Sequence, residues 1–83
     1  MLITILKDKI GCIHIFKGAH SDSDFKYNGN GYVTFNGVEA DFYLQYESDI
    51  QSVEFFLSKD QILSIDAGYS VVIEDPGYFG YQE

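Results

Sequence analysis

The stretch Tyr32-Val33-Thr34-Phe35-Asn36-Gly37-Val38-Glu39-Ala40-Asp41-Phe42-Tyr43-Leu44 decides the fold. Asn-Gly between two alternating runs is the pattern of a two-residue type I′ hairpin, because both central residues need a positive φ. Closing the turn on Asn36-Gly37 pairs Phe35 with Val38, Val33 with Ala40 and Gly31 with Phe42, all on one side. Leu44 and Tyr46 continue that side, while Tyr32, Thr34, Glu39, Asp41, Tyr43 and Gln45 occupy the other. One apolar face and one polar-aromatic face are what a half-buried antiparallel hairpin requires.

Upstream, Asn28-Gly29-Asn30-Gly31 offers another tight turn. A two-residue turn at Asn28-Gly29 would pair Phe25 with Tyr32 and move Phe25 and Tyr27 to the polar side. Running straight through keeps Phe25, Tyr27, Val33 and Phe35 on the core side. The alternation therefore predicts one long strand over 24–35, with Gly29 and Gly31 permitting a bend. Further upstream, Leu2–Leu6 and Gly11–Phe16 flank Lys7-Asp8-Lys9. A three-residue loop there aligns Ile3 with Ile13 and Ile5 with Gly11. Both faces of Leu2–Leu6 are largely apolar, as in a strand covered on both sides.

Downstream, Asp66-Ala67-Gly68 fits a three-residue hairpin loop that pairs Ile65 with Tyr69, Leu63 with Val71 and Gln61 with Ile73. The segment 48–62 reads two ways. Ser48-Asp49-Ile50-Gln51 and Ser58-Lys59-Asp60-Gln61 both match the capping box that starts helices, and Ile50, Val53 and Leu57 would share a helical face. Against this, Val53-Glu54-Phe55-Phe56-Leu57 is strand-like in composition and alternates. The preferred reading is a strand over 52–58 and a helical turn over 59–62, with a helix over 49–58 as the alternative.

The expected fold class is all-β, or β-rich with one short helix: a small antiparallel barrel or sandwich of about six to seven strands built from hairpins. With 83 residues the chain is one domain, 1–83, near the small end of what folds unaided. Residues 76–83 form an aromatic C-terminal tail behind Pro76-Gly77.

Charge narrows the function classes. Thirteen Asp and Glu stand against five Lys and no Arg, a formal charge of −8. Residues 1–26 hold four lysines against three aspartates, a net of +1, whereas residues 27–83 hold ten carboxylates against Lys59 alone, a net of −9. Nucleic-acid binding relies on Lys and Arg to neutralise phosphates, so no direct nucleic acid is expected. An anionic membrane surface is disfavoured by the same repulsion, and no segment has the roughly 20 apolar residues of a spanning helix. A basic protein partner is favoured instead, chiefly through faster encounter. Solubility alone also accounts for acidity of this size.

Cys12 is the single cysteine, so no intramolecular disulfide forms, and its apolar surroundings read as a buried thiol. The N-terminal Met-Leu-Ile-Thr-Ile-Leu lacks the basic lead of a signal peptide. A cytoplasmic setting, in a bacterial or phage-infected host cell, is the expectation.

Cys12, His14, His20, Asp22 and Asp24 are the one group of metal-ligand types, but their spacing matches no zinc pattern. Asp22-x-Asp24 fails as a calcium loop, because Lys26 and Val33 stand where oxygen ligands belong. Gly29-x-Gly31 precedes a strand and so offers phosphate no helix N-terminus. No nucleophile and base share an identifying spacing. No metal, no cofactor and no enzymatic activity are expected, with a metal-dependent enzyme the weakest alternative.

The candidate binding surface is the polar-aromatic side of the central hairpin. Tyr32, Glu39, Asp41 and Tyr43 converge there, and a strand over 52–58 adds Glu54 and Phe56. Tyrosines interleaved with carboxylates receive Lys and Arg through ion pairs and cation–π contacts. The plainer account is cross-strand stabilisation of the sheet. Tyr78, Phe79 and Tyr81 in the tail either plug an open barrel end or dock on a partner as an extended peptide. The expected function is a small acidic binding or inhibitory module that masks a basic, nucleic-acid-processing target, of the nucleic-acid-mimic, phage anti-defence or immunity type. The alternative is a structural or accessory subunit, such as a homodimer, associating through the polar-aromatic face or the tail.

Overall fold

The computed structural model describes residues 1–35, 38–39, 45–48 and 50–77. Leu2–Lys7 (β1) and Ile13–Lys17 (β2) form the centre of a four-stranded antiparallel sheet. Val71–Glu74 (β7) flanks β1, and Gln45–Ser48 (β6) flanks β2, giving the order β6-β2-β1-β7. Phe25–Tyr27 (β3), Val33–Phe35 (β4) and Val38–Glu39 (β5) make a separate three-stranded antiparallel sheet. Ile50–Val53 (α1), a 3₁₀ turn at Glu54–Phe56 and Lys59–Asp66 (α2) lie between β6 and β7. The described strands form two antiparallel sheets and no closed barrel.

Alternation on β1 and β2 explains the layers. Ile3, Ile5, Ile13 and Ile15 share one face, which Val53 and Ile65 cover from the helices. Leu6 and Phe16 share the opposite face and pack on Phe25 and Val33 of the second sheet. The apolar character of both faces of β1 thus has a cover on each side. Among the described residues, no helix is long and apolar enough to cross a membrane.

Register departs from expectation in two hairpins, for one reason. β1 pairs with β2 so that Ile5 faces Ile15 and Lys7 faces Ile13, not Ile5 with Gly11. The connection is therefore five residues long, 8–12. β3 pairs with β4 so that Tyr27 faces Val33 and Phe25 faces Phe35. A second five-residue turn, 28–32, thus replaces the continuous strand expected over 24–35. In both cases the facing sides are the expected ones, because odd loops preserve parity.

The two turns are built alike. Asp8 N donates to Cys12 O (2.9 Å), and Asp8 Oδ1 accepts from Ile10 N (3.0 Å) and Cys12 N (2.8 Å). Asn28 N donates to Tyr32 O (2.9 Å), and Asn28 Oδ1 accepts from Asn30 N (2.9 Å) and Tyr32 N (3.1 Å). The fourth residue of each turn has a positive φ, +102° at Gly11 and +87° at Gly31, which glycine adopts without a Cβ clash. The turns also touch, since Lys9 N donates to Gly31 O at 3.2 Å.

At the central hairpin, Phe35 pairs with Val38 and Thr34 with Glu39, as the alternation expects. The turn residues 36–37 and residues 40–44 lie outside the described set, as do the pairings Val33–Ala40 and Gly31–Phe42. Beyond them the chain changes sheet, for Gln45 and Tyr46 pair with Phe16 and Ile15 of β2.

Two further expectations are corrected downstream. The strand expected over 52–58 does not form: the chain is helical through Phe56 and extended only at Leu57 and Ser58, because helical geometry delivers Val53 to the isoleucine face that needs a cover. The helical turn at 59–62 extends to Asp66, and the hairpin on Asp66-Ala67-Gly68 does not form. Gly68 is left-handed as expected (φ +98°), but it ends a helix. Tyr69 N donates to Ser64 O (2.9 Å) and Gly68 N to Ile65 O (3.0 Å), the bonds of a Schellman motif. At the other end, Ser58 and Gln61 exchange the expected capping-box bonds, at 2.8 and 3.2 Å. β7 then pairs with β1 instead of with residues 61–65.

Candidate functional site

Among the described residues, the fold brings Asp8 and His14 together. Asp8 opens the first turn and His14 stands on β2, on the same face as Phe16. His14 Nε2 lies 2.6 Å from Asp8 Oδ2, and the two side chains are 2% and 0% exposed. Asp8 thus accepts from two backbone amides at one oxygen and from the imidazole at the other. Burial pushes its carboxyl pKa up, but the bonds from His14, Cys12 and Ile10 outweigh it and hold the group below its ordinary 3.8. With Asp8 ionised, Nε2 carries the proton in this bond. Nδ1 is buried with no hydrogen-bond partner. The ring stacks on Phe16 at 6.4 Å, and Phe16 in turn packs on Phe25 at 4.9 Å.

A carboxylate that orients an imidazole is half of a general-base arrangement. Here the second ring nitrogen is enclosed, so the pair presents no reactive atom at a surface. What it does is fix the 8–12 turn to the sheet.

Beside the pair lies a cleft of about 330 Å³, lined by Lys7, Asp8, Lys9 and Tyr27 on one side and residues 65–68 on the other. Lys7 Nζ reaches Asp66 at 3.5 Å across it, and Lys9 Nζ stands 5.1 Å from the Tyr27 ring centroid. Tyr27 donates its hydroxyl to Lys7 O at 2.8 Å. Burial first, and then the negative charges of Asp8 and Asp22, raise the Tyr27 hydroxyl pKa above 10.0.

The metal-type group is dispersed. His14 turns to Asp8, His20 Nε2 donates to Lys17 O (2.9 Å), and Asp22 Oδ1 accepts from Ser70 N (2.6 Å). Among the described residues no three His, Cys, Asp or Glu side chains gather as a metal site. Cys12 is half-buried at the end of the first turn and not within the core.

Of the expected binding residues, Tyr32 is 43% exposed at the end of the second turn. Glu39 is on β5, opposite Thr34. Glu54 is exposed on the 3₁₀ turn, whereas Phe56 is half-buried and packs against the isoleucine core. The neighbouring Phe55 points outward in its place, 92% exposed. A strand would have placed Glu54 and Phe56 together; a helical turn separates them. Asp41, Tyr43, Tyr78, Phe79 and Tyr81 lie outside the described residues.

Sequence reasoning overlooked Asp8 as the partner of His14. The available signal was the shared Asx-x-x-Gly spacing of Asp8 to Gly11 and Asn28 to Gly31. No family model, curated protein or solved structure matches the chain, so its functional reading rests on its own residues.

Proposed function

We propose that this chain is a small acidic binding module that masks a basic protein surface, in the manner of a nucleic-acid mimic acting on a nucleic-acid-processing target. The observation that carries the reading is the charge of residues 27–83, ten carboxylates against one lysine, with no arginine in the chain. Among the described members of that segment, Glu54, Asp60, Asp66 and Glu74 are exposed, Asp66 paired with Lys7 and Glu74 with the N-terminal ammonium, and Asp75 is half-buried. Carboxylates displayed in this way stand in for phosphates before a surface built to hold them. The Asp8–His14 pair does not compete with this reading, because its bonds are spent on folding a turn.

The test is affinity capture from a lysate of the cells that carry the chain, at low and high salt. The expected retained protein is basic, is released by salt, and loses its own nucleic-acid binding when mixed with the purified chain. A retained partner that is acidic, or held equally at both salt concentrations, would overturn the reading.

A further inference from the structure

We infer that the docking surface for this basic partner is the outer side of segment 50–66, two helical stretches joined through extended Leu57-Ser58, with Phe55 as its anchor. The inference rests on the acidic-module reading and adds where the partner sits and what it must offer. The segment has two sides of opposite character. Val53 and Ile65 are 0% exposed against the sheet, while Phe55 is 92% exposed and Leu63 57%. Single exposed apolar residues are ordinary. Phe55 differs in being both nearly bare and held. Its backbone belongs to a 3₁₀ turn closed by Leu57 N donating to Glu54 O at 3.2 Å. Its ring meets Phe56 edge-on at 6.3 Å, and Phe56 is itself packed on the core. An aromatic ring already oriented outward loses little freedom on binding, which is the usual property of an anchor residue.

The charges on the same segment select the occupant. Glu54 and Asp60 are exposed beside the segment's own cation Lys59, while Asp66 at its end pairs with Lys7 at 3.5 Å. A partner that closes over Phe55 therefore needs an apolar pocket rimmed by Lys or Arg. A second copy of the chain would bring a charge of −8 to a charge of −8, and a nucleic acid would bring phosphates; both are repelled.

The experiment is an NMR titration of the full, isotope-labelled chain with a synthetic Lys/Leu amphipathic peptide, with a Glu/Leu peptide of the same pattern as control. The expected result is a set of amide shifts confined to residues 54–66, suppressed by salt and absent with the Glu/Leu peptide. Phe55→Ala is expected to weaken binding by about tenfold or more while leaving the urea midpoint unchanged, since the ring is exposed. Glu54→Lys with Asp60→Lys is expected to remove the shifts. Shifts at Tyr32, Glu39 and residues 78–81 with 54–66 unmoved would overturn the inference and leave the acidic-module reading standing. Equal binding of the Glu/Leu peptide would overturn it as well, and no saturable binding of the Lys/Leu peptide at low salt would overturn both.

Discussion

The turns at 8–12 and 28–32 close on the same hydrogen bonds in different surroundings. Each has an Asx oxygen accepting from the second and fourth following amides, and each has a left-handed glycine at its fourth position. Asn28 lies at the surface, where the rest of its amide is open to solvent. Asp8 lies in the interior, and its second oxygen is served by His14 instead. The same local device costs nothing extra at the surface and needs a dedicated partner inside. The partner then carries a debt of its own, since burying His14 leaves Nδ1 without a bond.

The largest break in this comparison comes from truncating each Asx. Asp8→Ala removes the acceptor of the part-buried Ile10 and Cys12 amides and leaves His14 Nε2 unpaired in the interior, and breaking a buried pair in this way costs about 3–5 kcal/mol. That is a large part of the total stability of a domain this small, roughly 4–12 kcal/mol. Asn28→Ala removes two exposed bonds and costs about 1 kcal/mol. Urea unfolding of the two variants checks the difference; equal losses would mean that burial of the Asp8–His14 pair does not matter. A double-mutant cycle of Asp8→Ala with His14→Ala should return a coupling of at least about 1 kcal/mol.

Acid should separate the turns in the same sense. The Asp8 carboxyl has a lower pKa folded than its ordinary 3.8, so the unfolded chain binds more protons in that range. Its contribution to stability is complete above 3.8 and is lost as pH falls through the lower folded value. Asp8→Asn should flatten this part of the stability-against-pH curve, and Asn28→Ala should leave its shape intact. Urea midpoints measured downward from pH 5 distinguish the two.

The glycines sharpen the comparison because they differ where the Asx residues agree. Both have a positive φ, so alanine at either carries backbone strain of about 1–3 kcal/mol. A Cβ on Gly11 would meet nothing within 4 Å, whereas one on Gly31 would lie 3.3 Å from Ile10 Cγ2 and from Lys9 Cβ, in the other turn. Gly31→Ala should therefore lower stability more than Gly11→Ala, by roughly a further 1 kcal/mol, the low end of overpacking costs. A larger loss at Gly11 would show that the two turns are not packed together in solution.

These turns also mark how far the sequence was legible. Alternation identified which residues of β1–β4 share a face, because side-chain period is a property of the strand alone, although Thr34, expected on the polar side, is itself buried. It did not identify register, because loops of three and five residues keep the same parity. What sets the longer loop is the Asx side chain, whose oxygen reaches the fourth following amide. The expected binding site suffered from the same kind of ambiguity. Val53, Phe55 and Leu57 alternate as a strand would, yet Ile50, Val53 and Leu57 also fit one side of a helix. The choice depends on whether the isoleucine face of the first sheet needs a cover, which is a tertiary fact. It exchanged Phe56 for Phe55 at the surface.

The smallest expected effect is also the most direct test of whether the two turns share one design. Asn28→Asp keeps the side-chain oxygen that accepts from Asn30 and Tyr32, as Asp8 does for Ile10 and Cys12. It replaces an exposed amide by an exposed carboxylate, whose other oxygen water can solvate. The added charge on a chain already at −8 opposes the gain from two charge-assisted bonds. The net change in urea stability should stay within about 0.5 kcal/mol, the ordinary range of surface substitutions. The reciprocal Asp8→Asn is not neutral, because it removes the charged acceptor of His14 Nε2, and an amide N–H there requires the imidazole to carry its proton on the enclosed, unpartnered Nδ1. A destabilisation of Asn28→Asp approaching that of Asp8→Asn would mean that the carboxylate itself, and not its burial beside His14, sets the two turns apart.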